Sequence, residues 1–310
     1  MKTAVLLAAW NGEKHLPAQL ASLSDQTDPA FAVLCQDDGS SDGTPALLEK
    51  ICREDPRFHL AGESGQGFGA AGNFLSLLRQ SDADRILFCD QDDIWEKEKI
   101  AELGAAMTAA EQRYGASCPL LVHSDCRIIS ESGEIVADSF FRHQGWDPSA
   151  VTLPRLLVQN NVTGCTLIMN RPLADLIAEH GQAKDMFMHD WFVALTAAAF
   201  GHVVFLDRPL TRYRQHGDNA IGASRRGLLA RGFDALKKKD QAKLRILLTY
   251  THTLVFRKLY DGLLPPEADR LTADYLATRR MKKFKRIHTV RRLGCTMQSP
   301  VTRLGQVFFG

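Results

Sequence analysis

Along residues 1–129, short apolar runs alternate with stretches of helical spacing. TAVLLAA (3–9), FAVLCQ (31–36), FHLAG (58–62) and RILFCD (85–90) read as strands, and LLVHSDCRII (120–129) as another. Between them, HLPAQLASLSDQ spaces Leu16, Leu20 and Leu23 four and three apart, as on one helix face, and SSDGTPALLEKICRED opens with Ser and Asp caps and a proline near its first turn. Strands separated by helices build βαβ units, and so an α/β fold with a mostly parallel central sheet flanked by helices. Past residue 129 the pattern is mixed, and past residue 224 it is helical and basic.

An open parallel sheet binds ligands at the carboxyl ends of its strands. The residues there are Trp10-Asn11-Gly12-Glu13, Asp37-Asp38-Gly39-Ser40 and Asp90-Gln91-Asp92-Asp93, three polar clusters brought to one edge. Taken alone, DDGSSDGT serves equally as a turn and helix cap. DQDD is harder to absorb: crowded carboxylates repel, and a buried group of them is tolerated only with a cation or with raised pKa values. Hard divalent ions such as Mg²⁺ or Mn²⁺ bind through one or two carboxylates together with substrate phosphates.

With 45% hydrophobic and 24% charged residues, the 310-residue chain is globular, one large domain plus an appendage. Residues 225–310 hold 20 Lys and Arg against 6 Asp and Glu, a net +14, whereas residues 1–224 hold 18 against 30, a net −12. The acidic part and the basic tail are therefore expected to do different jobs. The 7 cysteines show no CxxC pair and no zinc-ligand spacing, so neither a zinc module nor a disulfide framework is indicated. MKTAVLLAAW is too short an apolar run for a signal peptide and lacks a small-x-small cleavage site, and no run of 18 apolar residues exists to span a membrane. A cytoplasmic protein is expected.

In chain order, AAWNGEKHLPAQLASLSDQT, QDDGSSDGT, FCDQDDIWEKEKI, MHDW and YRQHGDN resemble the family 2 glycosyltransferases, nucleotide-sugar-dependent enzymes of the GT-A fold, and among them the rhamnosyltransferase-type members. The resemblance covers roughly the first 220 residues. It implies that Ala8, Trp10, Asn11 and Glu13 sit at the nucleotide-contacting end of the first strand and that Asp38 accepts a hydrogen bond from a pyrimidine ring. Asp90-Gln91-Asp92 matches the family's DxD motif, Asp90 lying near the ribose and Asp92 coordinating the metal, Mn²⁺ or Mg²⁺, on the diphosphate. Asp190 matches the general base, and direct attack then inverts the anomeric carbon. This chain has His189-Asp190 where Glu-Asp is commoner; without the other motifs, His189-Asp190-Trp191 would read as a helix-start cluster.

The same resemblance marks His216 as a metal ligand, with a phosphate contact or a loop hydrogen bond as alternatives; Arg212 and Arg214, which flank it, suit phosphate contacts or equally a solvated strand face. GQGFGAAGNF (65–74) makes Asn73 a donor contact, although a flexible connection has the same composition. QNNVTGCTLIMNR (159–171) resembles the segment lining the sugar and acceptor site, with Gly164 allowing close approach. The implied partners are a dTDP- or UDP-sugar donor, rhamnose among the sugars, and a growing cell-surface glycan or lipid-linked glycan as acceptor.

The expected division is a catalytic domain over 1–224 and a basic helical C-terminal extension over 225–310. Basic residues among aliphatics at helical spacing suit an interfacial helix pair on anionic lipid at the inner face of the cell membrane, or equally a packing or dimerisation segment; no nucleic-acid reader motif accompanies the charge. Two rivals exist. A nucleotide-binding oxidoreductase would carry GxGxxG after its first strand, where this chain has Trp-Asn-Gly-Glu. A catalytically silent sugar-nucleotide-binding or scaffolding protein would share every motif and show no donor hydrolysis.

Overall fold

The computed structural model describes residues 1–62, 67–186, 188–215, 234–299, 302, 303 and 306. Its first part alternates as the apolar pattern predicts: β1 (Thr3–Ala9), α1 (Leu16–Ser24), β2 (Ala32–Asp37), α2 (Thr44–Glu54), β3 (Phe58–Leu60), α3 (Gly69–Gln80) and β4 (Arg85–Asp90). β1 pairs in parallel with both β2 and β4, and β2 with β3. The register that sets Ala9 beside Asp37 and Ala8 beside Asp90 brings all three polar clusters to one edge. The N-cap of α2 is Gly43 rather than a Ser or Asp, but Asp42 Oδ1 accepts from Thr44 N at 3.0 Å and Pro45 lies in the first turn.

The chain continues through β5 (Ile94–Trp95), α4 (Lys99–Tyr114), β6 (Leu120–Ile129), β7 (Ile135–Ala137), α5 (Phe140–Gln144), α6 (Leu153–Leu156), β8 (Leu167–Asn170), α7 (Arg171–His180), α8 (His189–Phe200) and β9 (His202–Arg214). The sheet order is β3-β2-β1-β4-β8-β6-β9-β5, with β7 beside β6. β8 runs antiparallel between β4 and β6, while β6 and β9 pair in parallel. Sequence periodicity predicts neither β5, β7 nor β8, each too short to show a period, and the apolar pattern of β9 is broken by Asp207-Arg208-Pro209 although the strand runs through them.

The sheet has an apolar layer on each face. Leu16, Leu20 and Leu23 of α1, Leu48 of α2 and Leu103 and Met107 of α4 cover one side. Phe74 and Leu78 of α3, Leu173 and Ile177 of α7 and Phe192 of α8 cover the other. That second core runs on without a break into α9 (Asp234–Leu259), α10 (Pro266–Ala277) and α11 (Lys283–Arg292), through Ile246, Phe256, Tyr260, Tyr275 and Val290. Tyr260 is fully buried and stacks on Phe192, ring centroids 5.8 Å apart. The helices after residue 233 thus share their core with the sheet.

Candidate active site

At the carboxyl edge of the sheet, the β1–α1 and β2–α2 turns are one hydrogen-bonded unit. Asn11 adopts φ 47°, a left-handed conformation that Asn tolerates better than most residues. Its N–H donates to Ser40 Oγ at 2.8 Å and its Oδ1 accepts from Ser41 N at 2.9 Å. Glu13 accepts from Gly43 N at 2.9 Å, and Gly12 N donates to Thr44 Oγ1 at 2.8 Å. Asn11 and Glu13 therefore hold the loop's shape, Ala8 is half-buried near the end of β1, and Trp10 stands 60% exposed.

Gln91, the middle residue of the DxD motif, fixes Trp10 from both sides. Its Oε1 accepts from Trp10 N at 2.6 Å, and its Nε2 donates to Trp10 O at 2.7 Å. A Cβ on Gly12 would lie 2.5 Å from Gln91 Oε1, so a larger residue there would displace the Gln91 side chain. Motif reading treats that middle position as arbitrary; only the fold reveals its job.

Asp38 is buried, and its two carboxylate oxygens accept from Phe68 N and Gly69 N, each at 2.7 Å, at the start of α3. Negative charge there complements the helix N-terminus. Asn73, also buried, donates from Nδ2 to Gln36 O at 3.3 Å. Both residues lie in the frame between β2 and α3.

One layer inward, ligand atoms of Asp90, Asp93 and Cys165 lie within 4.8 Å of one another. Burial, then the neighbouring Asp93, Asp92 and Asp190 charges, pushes Asp90 well above the usual carboxylate range. Burial pushes Asp93 up to about 7, although its Oδ1 accepts from Arg214 N at 3.1 Å. Beneath them lies fully buried Lys99, which sequence reading passed over. Its Nζ donates to Cys165 O at 2.5 Å and Thr211 Oγ1 at 2.9 Å and sits 3.4 Å from the Trp95 ring centre, and burial lowers it to about 8. Crowded carboxylate oxygens of raised pKa, with half-buried Asp92 beside them, are the donor set a hard dication suits; the protonated Cys165 thiol is not.

Asp190, at the start of α8, is buried and pushed up to about 7 by that burial. It accepts from Trp191 N at 2.6 Å, and from Gly164 N and the Asn160 side chain. His189 packs its ring 4.4 Å from Phe74 and 5.6 Å from Phe88, and burial lowers it to about 4, so it is a neutral packing group at pH 7. Gly164 fits against this pair: a Cβ there would lie 2.8 Å from His189 Nε2 and 3.5 Å from Asp190 Cβ.

Arg212 pairs with Glu96, its Nε donating at 3.0 Å, and Arg214 Nε donates to Asp92 O at 2.9 Å. Both arginines thus brace β9 and the DQDD turn. His216 lies outside the described residues, as do Gly65 and Gln66 of the glycine-rich stretch.

Residues 4–144 match the model of glycosyl transferase family 2. A dTDP-rhamnosyl transferase, RfbG of Shigella flexneri, is 28% identical over 231 residues, 70% of this chain and 74% of that protein. The putative teichuronic acid biosynthesis glycosyltransferase TuaG of Bacillus subtilis is 29% identical over 97 residues, and there the match spans 31% of this chain and 38% of the relative. Among solved structures, TarS 1-349 of S. aureus in complex with UDP-GlcNAc aligns with TM-score 0.60 at 15% identity over 99% of this chain and 86% of its own. The mannosyltransferase PcManGT from Pyrobaculum calidifontis, in complex with GDP-Man and Mn²⁺, aligns with TM-score 0.55 at 15% identity over 94% and 73%. Sequence match and sheet architecture agree: residues 4–144 carry a glycosyl transferase family 2 domain, and the fold is that of the GT-A glycosyltransferases.

Proposed function

We propose that this glycosyltransferase is inverting and metal-dependent, and moves L-rhamnose from dTDP-rhamnose to a hydroxyl of a growing, lipid-linked cell-surface glycan. The observation that carries the reading is that buried Asp190 is near enough to Asp90 for its charge to help raise that carboxyl, which supports a base close to the metal motif. A divalent ion, Mn²⁺ or Mg²⁺, held by Asp92 with His216, would neutralise the charge growing on the departing diphosphate. Asp190 takes the acceptor's proton as its oxygen attacks the anomeric carbon. Trp10 offers an exposed ring for the base, on a loop shaped by Asn11, Glu13 and Gln91, while Asp38 and Asn73 support the donor side and Gly164 leaves room beside Asp190. The similarity to a dTDP-rhamnosyl transferase supports the donor. In this reading residues 1–224 are the catalytic unit, and the basic residues of 225–310 hold it peripherally at the inner face of the cell membrane.

The test is donor hydrolysis and nucleoside diphosphate affinity with dTDP- and UDP-sugars, with Mn²⁺ or EDTA. Turnover with dTDP-rhamnose that EDTA abolishes is expected, and Asp92→Ala should remove the metal-dependent part of the affinity. Nucleotide binding without turnover of any donor would instead mark a silent binding protein.

A further inference from the structure

α9 is apolar on both sides, which an ordinary surface helix is not. Its inner side, with Ile246, Tyr250, Phe256 and Tyr260, is buried in the core. Its outer side shows Leu244, Leu247 and Leu254 at 55%, 43% and 59% exposure, with half-buried Leu248 and Val255 beside them. Spacings of three, seven and ten residues, through exposed Thr251, put these leucines on one stripe. Exposed Lys243 and Lys258 stand at its two ends and exposed Arg245 beside it, and no Asp or Glu occurs between Gln241 and Tyr260.

We propose that this stripe is a membrane-docking surface, whose leucines enter the interface of an anionic bilayer while Lys243, Arg245 and Lys258 meet the headgroups. An exposed apolar face rimmed by basic residues is the pattern of an interfacial helix. A second copy fits less well, because antiparallel self-pairing of the stripe would set Lys243 against Lys258. The location also suits the chemistry. His252, on the inner side, packs against Trp191 with ring centroids 4.6 Å apart, next to Asp190. The stripe therefore lies across α9 from the helix that carries Asp190. The inference rests on the reading of a lipid-linked acceptor and adds the surface that presents the enzyme to it.

The full chain and the triple variant Leu244→Ser/Leu247→Ser/Leu254→Ser are sedimented with phosphatidylcholine–phosphatidylglycerol vesicles at 0.1 M and 1 M NaCl, where the Debye length is about 10 Å and 3 Å. The wild type should bind at low salt and keep part of its binding at high salt, since apolar insertion is not screened. The triple variant should partition at least about tenfold less at low salt and fall to background at high salt. Thr251→Leu, which lengthens the stripe, should partition more strongly than the wild type. Nucleoside diphosphate affinity, measured on the same preparations, should be unchanged in all three proteins; its absence from the wild type would defeat the glycosyltransferase mechanism while leaving vesicle binding to decide the surface. No vesicle binding by the wild type, or equal partition of wild type and triple variant, overturns the proposal. A wild-type dimer that the triple variant dissolves, with no vesicle binding, assigns the stripe to a second copy and overturns it too.

Discussion

In the proposed mechanism Asp190 is a base whose burial disfavours its ionised form. Burial holds its carboxyl up to about 7, so transfer should rise with pH through about 7 as the base ionises. Asp190→Asn keeps the acceptor for Trp191 N but cannot take a proton; single-turnover transfer should fall at least about 100-fold with nucleotide affinity retained. The same shift predicts a stability difference. A folded-state pKa above the unfolded value of 3.8 means that the wild type's stability from this group is complete below that value and is lost as pH rises towards 7. Asn does not titrate, so the variant should gain on the wild type between those limits, by roughly 2 kcal/mol or more at pH 8 in denaturant unfolding. Gln91 tests the opposite edge: Gln91→Ala removes both hydrogen bonds to the Trp10 backbone and should weaken nucleoside diphosphate binding by about tenfold in calorimetry, with thermal stability little changed.

At the scale of elements, the site is a meeting of segment ends. The carboxyl ends of β1, β2 and β4 supply the polar clusters proposed to hold the donor, the start of α8 supplies Asp190, and the tight turn Gly164–Thr166 joins the two through Gly164 and through the Cys165 carbonyl that holds Lys99. Gly164→Ala probes that junction. The His189 ring is packed against Phe74 and Phe88 and cannot swing clear of a Cβ 2.8 Å from its Nε2. The start of α8 must shift, carrying Asp190 with it. Melting should show a loss of about 1–3 kcal/mol, and the transfer rate should drop more than nucleotide affinity does.

For the whole molecule, the core that runs from the sheet into α9 and α10 makes the C-terminal helices part of the fold. Tyr260 stacks on Phe192, and its hydroxyl lies 3.1 Å from Thr196 Oγ1. Tyr260→Ala should cost about 3–5 kcal/mol by chemical denaturation, the range for emptying a large aromatic site, and should lower the transition of the entire chain rather than melt a separate unit. Two transitions, with only the smaller one moved, would show that the helices fold independently.

What the sequence alone determined was set by local physics. Apolar runs placed β1, β2, β3, β4 and β6 within about a residue or two of where they lie, because continuous aliphatic stretches between helical spacings admit few other arrangements. Crowded aspartates at the end of β4 marked out the carboxylate cluster, since like charges gather only where something offsets them. Tertiary structure decided the rest. β5, β7 and β8 exist only through their sheet neighbours, being too short to carry a period of their own. Lys99 becomes a buried cation only where the fold closes over it, and the middle residue of the DxD motif acquires its role only where β4 is set beside β1. Charge set residues 225–310 apart in the sequence; packing joins their described helices to the core, because the apolar surface they bury belongs to residues far away in the chain.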